Sequence, residues 1–196
     1  MRGDSALRIA VRVLSVLLGS LFVLAVVPAD YRWPVAGIGA LALLVTAGLV
    51  TGLAGRPRLL AAKVSRLRPD ATVIAAITTI ETRGDARVSG AVDRRWDELG
   101  GSPVVLAALP DRVEVWAPGE DRPRWAITRR PDFPPVAVLA SMPTGGIAQV
   151  QPTPALLITD GVSRVTVIPV YSGFNASAPH RAQVGVQRAL GELVGA

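Results

Sequence analysis

Two long uncharged apolar runs constrain the folding of this chain most. The first covers the 17 residues from Val13 to Ala29, and the second covers the 23 residues from Trp33 to Gly55. A helix of about 20 apolar residues is long enough to cross the hydrocarbon core of a bilayer. The runs therefore predict a transmembrane helical hairpin within residues 1–69, followed by a separate domain in residues 70–196.

The charges are distributed unevenly along the chain. Residues 1–69 hold nine basic and two acidic side chains, a net charge of +7, whereas residues 70–196 hold twelve basic and thirteen acidic ones, a net charge of −1. Basic residues on both outer flanks of a hairpin place those flanks in the cytoplasm. We therefore predict a multi-pass protein of the inner (cell) membrane with both termini cytoplasmic. The near-neutral second part argues against nucleic acid as a partner.

A cleaved signal peptide is the alternative to the hairpin. Residues 2–12 and 13–27 have the order of a basic segment and an apolar core, and Val27-Pro28-Ala29 fits a cleavage site loosely. Cleavage would leave a single anchor helix. The second apolar run, which begins shortly after this site, and the proline at the site itself favour the uncleaved hairpin.

Small residues recur four apart within both apolar runs. Gly48 and Gly52 form a GxxxG pair in the second run, and Ser15 and Gly19 have the same spacing in the first. Such spacing lets helix backbones approach closely. It is compatible with packing of the two helices on each other, with homo-oligomerisation, and with docking onto a larger membrane protein.

The segment 58–68 predicts a short amphipathic helix that follows the second run. Leu60, Val64 and Leu67 fall on one face, and most of its basic residues fall on the other. Basic side chains beside a membrane attract anionic head groups. The predicted contacts with anionic lipid are Arg56, Arg58, Lys63, Arg66 and Arg68. The alternative is that these charges only fix the topology of the hairpin.

From residue 70 onward, apolar and polar residues alternate and turn residues recur at short intervals, which predicts β-strands. The predicted strands are Thr72–Thr79, Ala86–Val92, Val104–Ala108, Arg112–Trp116, Arg124–Thr128, Val136–Ser141, Leu156–Thr159 and Ser163–Val170. Asp160-Gly161 predicts a hairpin turn, and the spacing in Ala182–Val194 predicts a closing amphipathic helix. The predicted fold class is thus α+β: the transmembrane hairpin followed by a small antiparallel barrel or sandwich.

The strand order, the hairpin block Val104–Trp116 and the C-terminal helix resemble those of bacterial pleckstrin-homology-like domains. As a whole, the chain is similar to two-helix actinobacterial membrane proteins that carry such a domain at the C-terminus. The resemblance implies a cytosol-facing binding module. It does not imply inositol phosphate binding, because the basic cluster of that pocket is missing from Thr72–Thr79.

The residues that could carry chemistry are few. The chain has no cysteine and a single histidine, His180, which excludes disulfides and cysteine nucleophiles and argues against a zinc site. We predict that His180 is an exposed residue before the last helix and that Trp125 and Ile127 enter the core. Trp116 breaks the alternation of its strand, which predicts a partly exposed side chain and a contact with a partner.

These features together predict a non-enzymatic, membrane-anchored binding or scaffolding protein without a metal or another cofactor. Its expected partners are the lipid bilayer and either another protein or further copies of the chain. The alternative is an accessory subunit of a transporter or envelope-synthesis enzyme that docks through the glycine face of the second helix. Replacing Gly48 and Gly52 by leucine should disrupt assembly under that alternative only.

Overall fold

The computed structural model describes residues 56–91, 100–143, 150–171 and 178–195, together with Gly37 and Leu41. The chain divides into two compact units, Met1–Leu53 and Ala54–Ala196. Gly37 and Leu41, the two described residues of the first unit, are helical.

The described part of the second unit consists of three helices and seven strands. The helices are α1 (residues 56–67), α2 (Ile80–Val88) and α3 (Pro179–Val194). The strands are β1 (Thr72–Thr78), β2 (Pro103–Ala108), β3 (Arg112–Trp116), β4 (Trp125–Thr128), β5 (Val136–Pro143), β6 (Val150–Thr159) and β7 (Arg164–Pro169). Every strand pairs antiparallel with its neighbours, in the order β4-β3-β2-β1-β7-β6-β5.

The main core lies between one face of this sheet and α3. Val186, Ala189 and Leu193 of α3 are buried against apolar side chains from both halves of the sheet, including Leu106 of β2 and Leu156 of β6. The right-handed twist of strands lets a wide sheet coil. The seven strands accordingly form a curled half-barrel, and α3 packs against β5, β6, β7 and the middle strand β1.

The other face of the sheet is covered by α1 over strands β2 and β3. Leu60 and Val64 of α1 are buried together with Val105, Ala107 and Trp116. Strands β2 and β3 are consequently enclosed on both faces, and all but the first residue of each is buried.

The predicted fold class is wrong in its transmembrane hairpin, which the described structure does not show. The β part, expected as a small antiparallel barrel or sandwich, is compatible with the observed fold, in which seven strands form one curled half-barrel with three helices. Within the described ranges, no helix is long and apolar enough to cross a membrane. Apart from Gly37 and Leu41, the apolar runs 13–29 and 33–55 lie outside those ranges.

The predicted strand Ala86–Val92 is also wrong, because its described part belongs to helix α2 and the turn that follows. The hydroxyl of Thr82 accepts a hydrogen bond from the backbone N–H of Thr79 at 2.7 Å, which satisfies a donor that the helix start leaves without an intrahelical partner. Asp85 pairs with Arg164 of β7, with 2.7 Å between Oδ1 and Nε. A tertiary ion pair and a local cap thus decide the conformation of a segment whose own apolar pattern is weak.

Other predictions are confirmed. Strand β3 has the predicted bounds, and the remaining predicted strands each overlap an observed one. The hairpin at Asp160-Gly161 is present, although its loop has four residues because Thr159 pairs with Arg164. Gly161 has a φ of +88°, which glycine adopts without steric cost. The closing helix begins three residues before the predicted start.

Candidate functional site

The candidate site is helix α1, whose two faces have different surroundings. Leu60 is 7% exposed and Val64 is fully buried, so these residues attach the helix to the sheet. Side chains four apart project from one side of a helix. The side that faces away from the sheet is therefore left for another contact.

A buried carboxylate fixes the end of α1 to strand β3. Glu114 is 2% exposed, and its Oε2 accepts hydrogen bonds from Nε of Arg68 at 2.8 Å and from the indole Nε1 of Trp116 at 3.2 Å. Its Oε1 accepts from Nη2 of Arg112 at 3.0 Å. The guanidinium of Arg68 also lies 5.4 Å from the centre of the Trp116 ring, within the range of a cation–π contact.

The charges around Glu114 keep it ionised. Burial alone would raise the pKa of its carboxyl, but the hydrogen bonds and positive charges of Arg68 and Arg112 outweigh burial and lower the pKa below its ordinary value. The carboxylate consequently stays charged at neutral pH and holds both guanidinium groups.

Two further basic residues of α1 contact the rest of the unit. Nζ of Lys63 donates to Oδ1 of Asp121 at 2.6 Å and to the backbone oxygen of Glu120 at 2.8 Å. Nη2 of Arg58 donates to the backbone oxygen of Tyr171 at 3.3 Å. Together with Arg68, they anchor α1 at several points along its length.

The outer face of α1 combines leucine with positive charge. Leu59, Ala62 and Arg66 are exposed and share this face, and Leu59 keeps 72% of its surface accessible. A shallow groove of about 320 Å³ runs along these residues, Lys63 and Leu67. Neither Arg56 nor Arg66 forms an ion pair with another residue in the described ranges. We call the side chains of Arg56, Leu59, Ala62, Arg66 and Leu67 the outer face.

The predicted lipid-contacting residues therefore fall into two groups. Arg58, Lys63 and Arg68 donate hydrogen bonds to the domain itself, whereas Arg56 and Arg66 belong to the outer face. The helical spacing placed Leu67 on the same face as Leu60 and Val64, but Leu67 is 41% exposed. Leu59, which that spacing left unassigned, is 72% exposed. Their contact with lipid stays a prediction.

The predicted exposure of Trp116 is wrong. Its side chain is 1% exposed, because α1 covers the strand face that was expected to meet solvent. An enclosed indole offers no surface to a partner, so Trp116 joins α1 to the sheet instead. The helix-packing residues Ser15, Gly19, Gly48 and Gly52 lie outside the described residues.

Residues considered for chemistry have structural positions. His180 is exposed, as predicted, but it lies in the first turn of α3 and not before the helix. Trp125 and Ile127 are buried in the core, as predicted. No group of three or more histidine, aspartate or glutamate side chains that could hold a metal ion occurs among the described residues.

Comparison of the chain with protein-family models, with curated proteins and with solved structures found no match in any of the three. The resemblance to pleckstrin-homology-like membrane proteins therefore stays a prediction from the sequence.

Proposed function

We propose that this protein is a non-enzymatic binding or scaffolding protein held at the inner face of the cell membrane, with the outer face of α1 against anionic lipid. The observation that carries the proposal is the two-sided character of α1. Its inner face is fixed to the sheet by Leu60, Val64 and Arg68, while its outer face presents leucine and arginine.

The position of α1 in the chain supports a lipid surface as the partner. The helix follows directly after the uncharged apolar run of residues 33–55, and the net charge of +7 lies within residues 1–69. A basic side chain near an anionic bilayer contributes about 1 kcal/mol of attraction. Arg56 and Arg66 are available for this, and Leu59 can enter the boundary between head groups and acyl chains.

The attachment of α1 to the sheet would fix the orientation of the domain on the membrane. Two ion pairs and two buried apolar side chains hold the helix, so a lipid contact on its outer face would position the whole sheet rather than a loose segment. A domain held in one orientation presents the same surface to every partner, which is what scaffolding requires. The partner itself would be a protein or further copies of this chain.

Lipid contact can be measured with the full-length protein in nanodiscs that contain phosphatidylglycerol. Because the chain has no cysteine, a single Leu59→Cys substitution allows one fluorophore to be attached on the outer face. We expect a spin-labelled lipid to quench this fluorophore strongly. The matched control is Val162→Cys, which is 71% exposed in the β6–β7 hairpin and should be quenched little.

Equal quenching at positions 59 and 162 would contradict the proposed contact. The charge contribution is tested separately by adding Arg66→Glu to the Leu59→Cys variant, which should reduce quenching in anionic nanodiscs and change it little in zwitterionic ones. The binding role is tested by mass spectrometry of what co-purifies in mild detergent. A turnover activity of the purified chain would overturn the non-enzymatic assignment.

A further inference from the structure

A second site lies at the end of α3, away from the outer face of α1. A cavity of about 410 Å³ opens there beside the segment that joins β4 to β5. Val113, Ile158 and Leu193 contribute apolar surface to its lining, and Phe133 and Pro134 form one wall. Ligand pockets in proteins commonly enclose about 300–1,000 Å³, so the cavity can hold a small molecule.

One wall of the cavity is a rigid turn. The backbone N–H of Phe133 donates to the backbone oxygen of Arg130 at 3.0 Å, which closes a turn with Pro131 in its second position. The Phe133 ring rests against the β6–β7 hairpin: a Cβ built on Gly161 would lie 3.1 Å from its Cζ. The turn therefore holds Arg130 and Phe133 beside the same cavity with little freedom to move apart.

The two charged residues among the described lining of the cavity are both arginines. Arg129 is committed to the fold, because its Nη2 donates to the backbone oxygen of Leu193 at 2.6 Å and its Nη1 to that of Leu109 at 3.2 Å. Arg130 is exposed and forms no ion pair with another described residue. Among the described residues, no acidic side chain lines the cavity.

The carboxylate that attracts Arg130, that of Asp160, is already occupied by the backbone. The carboxylate of Asp160 accepts hydrogen bonds from the N–H groups of Thr128, Val162 and Ser163 at 3.0, 2.9 and 2.6 Å. It attracts Arg130 across space but has no hydrogen bond to it. The guanidinium of Arg130 is left as an anion-binding group at the edge of an apolar cavity.

We propose that this cavity binds an amphiphile with an apolar body and one anionic group, either a carboxylate or a phosphate. The apolar body lies against Phe133, Ile158 and Leu193, and the anion meets the guanidinium of Arg130. Guanidinium groups bind carboxylate and phosphate through paired N–H donors, which gives such a ligand a fixed orientation. The proposal does not depend on the contact of α1 with lipid.

The proposal is tested by calorimetric titration of the full-length protein in zwitterionic nanodiscs, with empty nanodiscs as the blank. The three probes are octanoate, octyl phosphate and octanol, which share a chain and differ in the head group. We expect both anions to bind more tightly than octanol. Tighter binding of octyl phosphate would identify a phosphate-bearing ligand, and tighter binding of octanoate a fatty acid.

Two variants separate the contributions of charge and apolar contact. Arg130→Gln should weaken both anions about tenfold, the size of one charge-assisted hydrogen bond, and should leave octanol unchanged. Phe133→Ala should weaken all three probes. The matched control is Arg122→Gln, an exposed arginine outside the cavity, which should change none of them. Octanoate and octyl phosphate binding no tighter than octanol, or unchanged in Arg130→Gln, would overturn the proposal.

Discussion

Neutralising the buried carboxylate of Glu114 should loosen α1 from the sheet. The variant Glu114→Gln keeps the size of the side chain but removes the charge that Arg68 and Arg112 meet at 2.8 and 3.0 Å. Because Glu114 is 2% exposed, the amide is enclosed with them. The amide keeps one carbonyl oxygen as a hydrogen-bond acceptor. An NH2 group replaces the second carboxylate oxygen, and its N–H donors find no acceptor there.

The expected loss of stability depends on how exposed the two arginine partners of Glu114 are. Breaking an ion pair between two buried groups costs about 3–5 kcal/mol. The side chains of Arg68 and Arg112 remain 35% and 41% exposed, so water hydrates both guanidinium groups once the charge is gone. We therefore expect the free energy of unfolding to fall by about 2 kcal/mol, close to one charged hydrogen bond. For a chain of this size this corresponds to a decrease in Tm of about 4–8 °C.

The assay is thermal unfolding of the full-length protein in mild detergent, followed by tryptophan fluorescence, because the indole of Trp116 contacts Glu114 directly. The matched control is Asp121→Asn, the same chemical change on another partner of α1 whose side chain is 89% exposed. Exposed ion pairs contribute little to stability, so this control should leave Tm nearly unchanged. Equal shifts in the two variants would refute the argument that burial makes Glu114 important.

The lowered pKa of Glu114 means that its stabilising contribution is present above its ordinary pKa of 4.5 and is lost as the pH falls below that value. Denaturant titrations of the wild type should thus show a steeper loss below pH 4.5 than those of Glu114→Gln. Val64→Ala removes two buried carbons beneath α1 and should lower the free energy of unfolding by about 2 kcal/mol. In α3, the new Cβ of Gly191→Ala would have no atom within 4 Å apart from its chain neighbours and its own helical backbone. This variant should raise Tm, since alanine favours the helix over glycine by about 1 kcal/mol. Gly185→Ala should lower Tm, because its Cβ would lie 2.9 Å from the backbone oxygen of Pro169; the same sign for both variants would contradict the packing described for α3.

The elements with a strong local pattern were predictable from the sequence alone. In β3, Val113 and Val115 alternate with Arg112 and Glu114, and the strand has the bounds that this pattern predicts. The helical spacing of Val186 and its neighbours predicted α3, although not its first turn. Periodicity of this kind is a property of neighbouring residues, so it can be recognised before any tertiary contact is known.

Burial of Trp116 depended on the tertiary structure. Alternation distinguishes a buried from an exposed face only when one face of the strand meets solvent. Strand β3 is covered by the main core on one face and by α1 on the other, so a residue that breaks the alternation is still enclosed. The same geometry explains how Glu114 is buried at a position that the pattern assigned to the polar face.

The sequence by itself determined the uneven charge distribution, the order of most strands and the amphipathic character of α1 and α3, because these depend on residue type and local spacing. Only the tertiary structure decided that seven strands form one curled sheet, that residues 80–88 are helical, and that Arg130 and Phe133 stand beside one cavity. Those features arise from contacts between residues far apart in the chain, such as Asp85 with Arg164. The free energy of such contacts depends on burial and geometry. The residues that adjoin a position in the chain do not specify either of them.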